Sequence, residues 1–328
     1  MIGPSASLVV SDWYSGTPPY RVSALQGIRN SLGSDTNILF ATSNKADSAV
    51  IAARDADVAI VCVGNHPLSY GLGWGQNLVA SDGREDVDRQ ALSLEQEDLV
   101  KLVYAVNRNT VLVIVSSFPY TVNWSVKNIP AIVHISQSSQ ELGNGLADVL
   151  FGEVSPAGRL VQTWPSSIDQ LPPILEYNIR KGRTYMYSKA EPLFAFGYGL
   201  GYTSFAFDRV RLDRAEIEVG ESTRLFVDVT NTGARAGDEV VQLYIRDVVS
   251  SVTRPVKELK GFERVSLAPG ERRTVAFDVT PDRLAFYDID MVFRVEPGEF
   301  RLMIGSSSRD QDLQAVTLRV RGPRPRLP

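Results

Sequence analysis

The sequence predicts two domains of different fold class, an α/β domain followed by an all-β domain. In the first half, apolar runs rich in β-branched residues alternate with stretches of helical periodicity, which is typical of a parallel sheet. In the second half, apolar and polar residues alternate between NTG, APGE and PGE turns, which is typical of antiparallel sheets. The chain of 328 residues is long enough for two hydrophobic cores. We place the domains at 1–165 and 204–328, with a connector at 166–203.

The first half contains three strands that alternate with three helices. We predict strands over 55–64, 109–117 and 130–137, and helices over 93–107, 120–128 and 138–152. Ser93 is the expected N-cap of the first helix, a serine caps the last helix, and Gly152 ends it. This alternation predicts a mainly parallel, doubly wound sheet covered by helices, an α/β sandwich, whose strands are joined by right-handed crossovers.

The second half contains short alternating strands. The clearest segments are RLFVDVTNTG (224–233), EVVQLYIRD (239–247), RTVAFDVTP (273–281) and EFRLMIGSS (299–307). Their spacing predicts an antiparallel sandwich of the immunoglobulin or fibronectin type III kind. The connector is rich in Pro, Gly and aromatic residues, so we expect it to be ordered and to pack on both domains.

Composition and charge exclude several function classes. The net charge is −4, from 34 basic and 38 acidic residues, which argues against an electrostatic grip on nucleic acid. No apolar run reaches about 18 residues, so we predict no membrane span, and MIGPSASLVV lacks the basic start of a signal peptide. Cys62 is expected to be a buried, inert thiol. His66 and His134 stand apart, and His134 is expected to be structural, so we predict no metal site and no cofactor.

The longest loop predicted at the carboxyl ends of the parallel strands is 65–89, NHPLSYGLGWGQNLVASDGREDVDR. Ligands bind at that edge of an open parallel sheet, and loops of this length are usually functional or disordered. Tyr70 and Trp74 suit the face of a sugar, and the loop also carries four carboxylates: Asp82, Glu85, Asp86 and Asp88. A solvated acidic loop is the alternative interpretation. GLGWG lacks the strand-to-helix setting of a phosphate-binding motif, and no G-x-S-x-G supports a serine triad.

Several long motifs resemble glycoside hydrolase family 3. They are IGPSAS…DWYSGTPPYRVSALQGI (2–28), QELGNGLADVLFGEVSPAGRLVQTWPSSIDQLP (140–172), GRTYMY (182–187) and EPLFAFGYGLGYTSF (191–205), in this order along the chain. The resemblance implies an α/β sandwich domain and a fibronectin type III-like domain, which a β/α barrel precedes in such enzymes. It therefore implies the C-terminal portion of a retaining β-glycosidase acting on terminal β-glucosides or β-xylosides. The cellular location stays open, and a periplasmic or secreted location agrees with the family.

The resemblance also implies catalytic residues. In the family a barrel aspartate is the nucleophile, and a glutamate in an E-G-x-D-R stretch of the second domain commonly serves as acid/base. The matching segment runs from Glu85 to Arg89, which implies Glu85 as the acid/base, although Asp86 stands where the family has Gly. Retaining hydrolysis requires two carboxyl groups about 5–5.5 Å apart, one ionised and one protonated. The implied partners are a barrel domain or polypeptide of the same enzyme and an oligosaccharide or aryl glycoside substrate.

Other residues receive subsidiary roles. Asp88 and Arg89 are expected to form an ion pair that orients the loop, or Arg89 holds the geometry of the glutamate. Trp74 and Tyr70 either stack on a sugar ring or pack within the loop. Asp12 lies in an S-D-W stretch like that of the family nucleophile, but only about ten residues precede it, too few for one βα unit. We therefore expect Asp12 to be a loop residue near the domain interface.

Two other function classes remain open. One is a non-catalytic carbohydrate-binding or scaffolding module, or the companion half of a split glycosidase. The other is a flavodoxin-like nucleotide binder, which rests on fold analogy alone. If the glycosidase interpretation is right, the isolated chain is expected to be inactive, because one of the two carboxylates is then supplied by a barrel.

Overall fold

The computed structural model describes residues 1–11, 14–65, 89, 91–137 and 139–323. The chain divides into two compact units. The first comprises Met1–Glu153 and Pro165–Ile168, and the second comprises Val154–Trp164 and Asp169–Pro328.

The first unit is built on a parallel sheet. Strands β1 (Ala59–Gly64), β2 (Thr110–Val115) and β3 (Ala131–Ile135) pair in parallel in that order. The helices are α1 (Ala24–Ser31), α2 (Ser48–Arg54), α3 (Glu97–Val106), α4 (Asn123–Asn128) and α5 (Leu142–Phe151). The prediction of parallel strands alternating with helices is confirmed.

Two parallel bridges extend this sheet beyond β1. Ile2 pairs with Val61 of β1 on one side and with Ala41 on the other. The spatial order is therefore Ala41, Ile2, β1, β2, β3, so the direction in which the chain adds strands reverses between Ile2 and β1. That reversal is the signature of a doubly wound sheet. Helix α1 packs on α5, and α2 packs on α3, so the predicted fold class is confirmed.

Both predicted serine caps are wrong. Helix α3 begins at Glu97, four residues after Ser93, and Ser93 Oγ instead donates to Glu95 Oε1 at 3.4 Å. A backbone turn replaces the side-chain cap, because the Glu97 N–H donates to the Leu94 carbonyl at 2.8 Å. Helix α5 has Glu141 as its N-cap residue and no side-chain cap. Its predicted end is confirmed, since Gly152 adopts the left-handed conformation with φ of 80°.

One core cluster of the first unit lies between the sheet and the helices α1 and α5. Cys62 is fully buried there among Ala24, Val113 and Leu146, and burial raises the pKa of its thiol to about 12. The thiol is therefore protonated at neutral pH and packs as a small apolar side chain.

The second unit is a β-sandwich. Its strands are β4 (Phe205–Leu212), β5 (Glu216–Glu218), β6 (Thr223–Asn231), β7 (Gly237–Asp247), β8 (Glu258–Leu267), β9 (Arg272–Val279), β10 (Phe286–Tyr287), β11 (Phe293–Arg294), β12 (Gly298–Gly305) and β13 (Leu313–Arg321). The unit also contains two short helices, α6 (Thr184–Tyr187) and α7 (Pro281–Leu284). One sheet of the sandwich has the order β4-β6-β9 and the other β5-β13-β12-β7-β8, while β10 and β11 form a separate antiparallel pair. Inward side chains of both sheets, such as Val227 and Leu302, form one core, which confirms the predicted sandwich.

Most of the segment between 154 and 203 belongs to the second unit. Arg159 Nη2 binds Glu239 Oε1 of β7 at 2.6 Å, and both side chains are almost completely buried. The ring of Tyr185 stacks on Phe196 and meets Tyr244 edge-on. The ion pair ties the segment to β7, and the ring contacts pack it against Tyr244 of the same strand.

Candidate active site at the carboxyl edge of the parallel sheet

The carboxyl ends of β1, β2 and β3 lie at one edge of the sheet, where open α/β sheets bind ligands. Residue 65 directly follows β1, and the segment 66–88 comes next in the sequence. Arg89 is the first described residue after that segment. The described geometry of the edge therefore consists of Asn65 and Arg89, which flank the segment, and of the residues that contact them.

The strand end at Gly64 admits only glycine. Its φ is 145°, and a Cβ placed there would lie 1.9 Å from the Val115 carbonyl oxygen. The Gly64 N–H donates to Gln96 Oε1 at 2.8 Å. This hydrogen bond joins Gln96, the residue before α3, to the end of β1.

Asn65 is held from two neighbouring strand ends. It is 6% exposed, and its N–H donates to the Val115 carbonyl at 3.2 Å. Gln137 Nε2 donates both to the Asn65 carbonyl and, at 2.9 Å, to Asn65 Oδ1. Ser117 Oγ in turn donates to Gln137 Oε1 at 2.9 Å. Residues after all three strands thus form one hydrogen-bonded strip.

Arg89 is held at the other end of the segment. The centre of its guanidinium lies 3.9 Å from the ring centroid of Phe118 and 4.9 Å from that of Tyr120. Its Nη1 and Nη2 atoms donate to the Pro119 carbonyl at 3.2 and 3.3 Å. Burial lowers the pKa of Arg89, and Tyr120 and Glu95 oppose that shift. An arginine stays protonated regardless, so the contact with the rings is a cation–π interaction.

Ser116 and His134 adjoin this edge but lack the geometry of a nucleophile and base. Ser116 is fully buried, and its Oγ donates to the Phe118 carbonyl at 2.9 Å. His134 Nε2 lies 3.2 Å from Ser116 Oγ and 3.1 Å from the Ser116 carbonyl. Burial lowers the pKa of His134, so the ring is neutral at pH 7 and Nε2–H donates to these oxygens. The pair joins β2 to β3, in agreement with the structural role predicted for His134.

Most of the residues predicted for the site lie outside the described residues. They are Tyr70, Trp74, Glu85 and Asp88, together with Asp12 and His66. Arg89 is described, and the structure brings it to Phe118, Pro119 and Tyr120; its ion pair with Asp88 stays a prediction. Sequence reasoning missed Asn65, Gln96, Ser117, Phe118 and Gln137. A usable signal existed for three of them, since Asn65, Ser117 and Gln137 each follow a parallel strand by one or two residues.

Among the described residues, no three His, Cys, Asp or Glu side chains converge in a way that could hold a metal ion. No helix there combines the length and the apolar character needed to cross a membrane.

Two family models match the chain. The model of the glycosyl hydrolase family 3 C-terminal domain matches residues 1–202, and the model of the fibronectin type III-like domain matches residues 239–308. The chain is 36% identical over 323 residues to a β-xylosidase of Formosa agariphila and 32% identical over 354 residues to a periplasmic β-glucosidase of Salmonella typhimurium. These alignments cover 94% of this chain but only 43% and 44% of the two relatives.

Solved structures give the same result. A β-glucosidase from Erythrobacter marinus superposes with a TM-score of 0.80 at 32% identity, over 97% of this chain and 46% of that one. The β-D-glucoside glucohydrolase of Trichoderma reesei superposes with a TM-score of 0.82 at 25% identity, over 98% of this chain and 51% of that one. The chain thus spans about half the length of the proteins it matches.

Proposed function

Since the chain belongs to glycoside hydrolase family 3, we propose that it supplies the acid/base loop to the active site of a retaining β-glycosidase. The substrates are terminal β-linked sugars, β-glucosides or β-xylosides, presented as oligosaccharides or aryl glycosides. The observation that supports the proposal is the position of the two residues that flank the segment 66–88. Asn65 and Arg89 are both held at the carboxyl edge of the parallel sheet, the edge where such sheets bind ligands.

Glu85 is the proposed acid/base. Protonated, it donates to the leaving-group oxygen while an aspartate on a barrel attacks the anomeric carbon and forms a glycosyl-enzyme intermediate. Ionised by that donation, Glu85 then removes a proton from the water that hydrolyses the intermediate, and so recovers its proton. The two carboxyl groups must lie about 5–5.5 Å apart for this double displacement, so the loop has to be held in register with the barrel.

The other proposed roles follow from this one. Arg89, four residues after Glu85, holds the end of the loop, and Asp88 is its proposed ion-pair partner. Trp74 and Tyr70 are proposed to stack on the sugar. The proposed partner is the barrel that carries the nucleophile, either as a domain or as a polypeptide of the same enzyme. The relatives, of which this chain covers less than half, are long enough to contain such a domain.

The test is an assay of aryl and alkyl β-glucosides and β-xylosides with the chain alone and with a family 3 barrel. We expect turnover only in the second case. In that enzyme, Glu85→Gln should lower kcat/KM for alkyl glycosides about 10²- to 10⁴-fold, the usual contribution of a general acid. The loss should be much smaller for aryl glycosides whose leaving group needs no proton. Asp82→Asn, which removes a carboxylate from the same loop, is the matched control and should change the rate only a few-fold.

A second candidate is a carbohydrate-binding or scaffolding module, or the companion half of a split glycosidase. The fibronectin type III-like domain at residues 239–308 favours it by fold analogy, because it lies apart from the segment that carries Glu85 in the sequence. Affinity for oligosaccharides without turnover in the presence of a barrel would favour the binding module. Turnover by the chain alone that Glu85→Gln abolishes would refute the need for a barrel.

A further inference from the structure

The short stretch Ser116–Tyr120, which follows β2, is linked to Asn65 through Gln137 and contacts Arg89 directly. Ser117 holds Gln137, which in turn holds Asn65 at the start of the segment 66–88. Phe118, Pro119 and Tyr120 hold Arg89 at its end.

We infer that Phe118 and Tyr120, with the Pro119 carbonyl, form an aromatic seat for Arg89 and are positioning residues for the loop that carries Glu85. The catalytic part of this inference rests on the proposed function. The seat itself depends only on contacts between described residues. Glu85 lies four residues before Arg89 in the sequence, so the seat holds the described residue that is nearest to the proposed acid/base on that side.

The sequence prepares the seat locally. Proline at position 119 restricts Phe118 to extended backbone conformations and has a fixed φ of its own. Ser116 Oγ donates to the Phe118 carbonyl at 2.9 Å, which holds the peptide bond between Phe118 and Pro119 in place. The rings of Phe118 and Tyr120 have centroids 5.6 Å apart and an interplanar angle of 58°. The guanidinium therefore meets two rings and a carbonyl oxygen whose positions are already set.

The chemistry of the seat is specific for arginine and for an aromatic partner. A planar guanidinium can stack on a ring and donate two N–H groups to one carbonyl at the same time, whereas a lysine ammonium cannot do both. The ring quadrupole attracts the cation, and an aliphatic side chain of similar volume lacks it. An anchoring contact of this kind therefore differs measurably from simple apolar packing.

Trypsin provides a direct assay on the chain as it is. The enzyme must take the Arg89 side chain into its own pocket to cut the Arg89–Gln90 bond, so it cuts only when the guanidinium has left the seat. When opening and closing are fast, the cleavage rate follows the population of the open form. Replacing the ring in Phe118→Leu should raise the rate at this bond about 3- to 30-fold, the range set by the strength of cation–π contacts.

Three controls separate anchoring from general destabilisation. Phe118→Tyr keeps the ring and should keep the protection. The bond after Arg108, whose guanidinium contacts Tyr104 rather than this seat, should be cut at the wild-type rate in every variant. Arg89→Lys, still a trypsin site, should be cut faster than wild type and serves if Phe118→Leu does not fold.

Faster cleavage after residue 89 in the Leu and Lys variants, with wild-type rates in the Tyr variant and after Arg108, supports the seat. An unchanged rate in Phe118→Leu, or an equal increase in Phe118→Tyr or after Arg108, overturns it. If Glu85 proves not to be the acid/base, these rates are unaffected, so the two proposals fail independently. In an enzyme completed by a barrel, Phe118→Leu should lower kcat more than it changes KM.

Discussion

Replacing Gly143 of α5 by alanine should destabilise the first unit by about 2 kcal/mol. A Cβ at this position would lie 1.9 Å from the Ser23 carbonyl oxygen and 2.9 Å from the Val22 carbonyl oxygen. Both are backbone atoms at the start of α1, where no side chain can rotate away. The Gly143 N–H also donates to the Val22 carbonyl at 2.8 Å, so the two helices must separate to admit the methyl group.

The magnitude follows from three contributions. Overpacking costs about 1–3 kcal/mol, and weakening the hydrogen bond to Val22 costs about 1 kcal/mol. Alanine regains up to about 1 kcal/mol through its higher helix propensity. The matched control is Gly145→Ala in the same helix, where a Cβ would meet nothing within 4 Å. That variant should be about 0.5–1 kcal/mol more stable than wild type.

Urea unfolding followed by far-ultraviolet circular dichroism gives both free energies. Hydrogen exchange measured by mass spectrometry locates the effect, which should raise exchange in α1 and α5 and leave the strands of the β-sandwich unchanged. Wild-type stability of Gly143→Ala, or an equal loss in Gly145→Ala, would contradict the helix contact described here.

Two further predictions concern buried charges of the second unit. Glu239→Gln leaves the buried guanidinium of Arg159 without its counter-charge and should cost about 3 kcal/mol of unfolding free energy. The control Asp278→Asn removes a charge from an exposed ion pair and should cost at most about 0.5 kcal/mol. Similar losses in the two variants would refute this reasoning. Burial raises the pKa of Asp247 from 3.8 to about 6, so its stabilising contribution is complete below about pH 4 and is lost as the pH rises through 6. Asparagine does not titrate, so Asp247→Asn should remove about 1–2 kcal/mol of the change in unfolding free energy between pH 4 and 7, after allowance for screening. If thermal unfolding of the variant follows wild type across that range, the pKa shift is excluded.

Strands β1 and β2 of the parallel sheet were predictable because nearly all of their residues are buried, on both faces. A strand with helices on both sides reads as a continuous β-branched run, as in the AIVCVG of β1 and the TVLVIV of β2. The strands of the sandwich were predictable for the complementary reason, since one face is solvated and the residues alternate. The bridges of Ile2 were not predictable, because each involves a single residue pair with no pattern around it.

The helix starts and the anchors of the loop depend on contacts that local sequence does not encode. Ser93 has the chemistry of a cap, but the turn that precedes α3 places Gln96 where its side chain reaches Gly64 across the sheet edge. Arg89 was identified from the family pattern, while its partners Phe118 and Pro119 lie about thirty residues further along the chain. Only the folded sheet brings these segments together.

The sequence by itself determined the two fold classes and the family, because hydrophobic periodicity and long motifs are properties of consecutive residues. It also predicted Glu85 and Arg89 as site residues, through the resemblance of residues 85–89 to the family's acid/base motif. What the tertiary structure decided is how that loop is attached. β1, β2 and β3 end side by side, so Asn65, Arg89, Ser117, Phe118 and Gln137 meet at one edge through hydrogen bonds and a cation–π contact that form only when distant segments pack together.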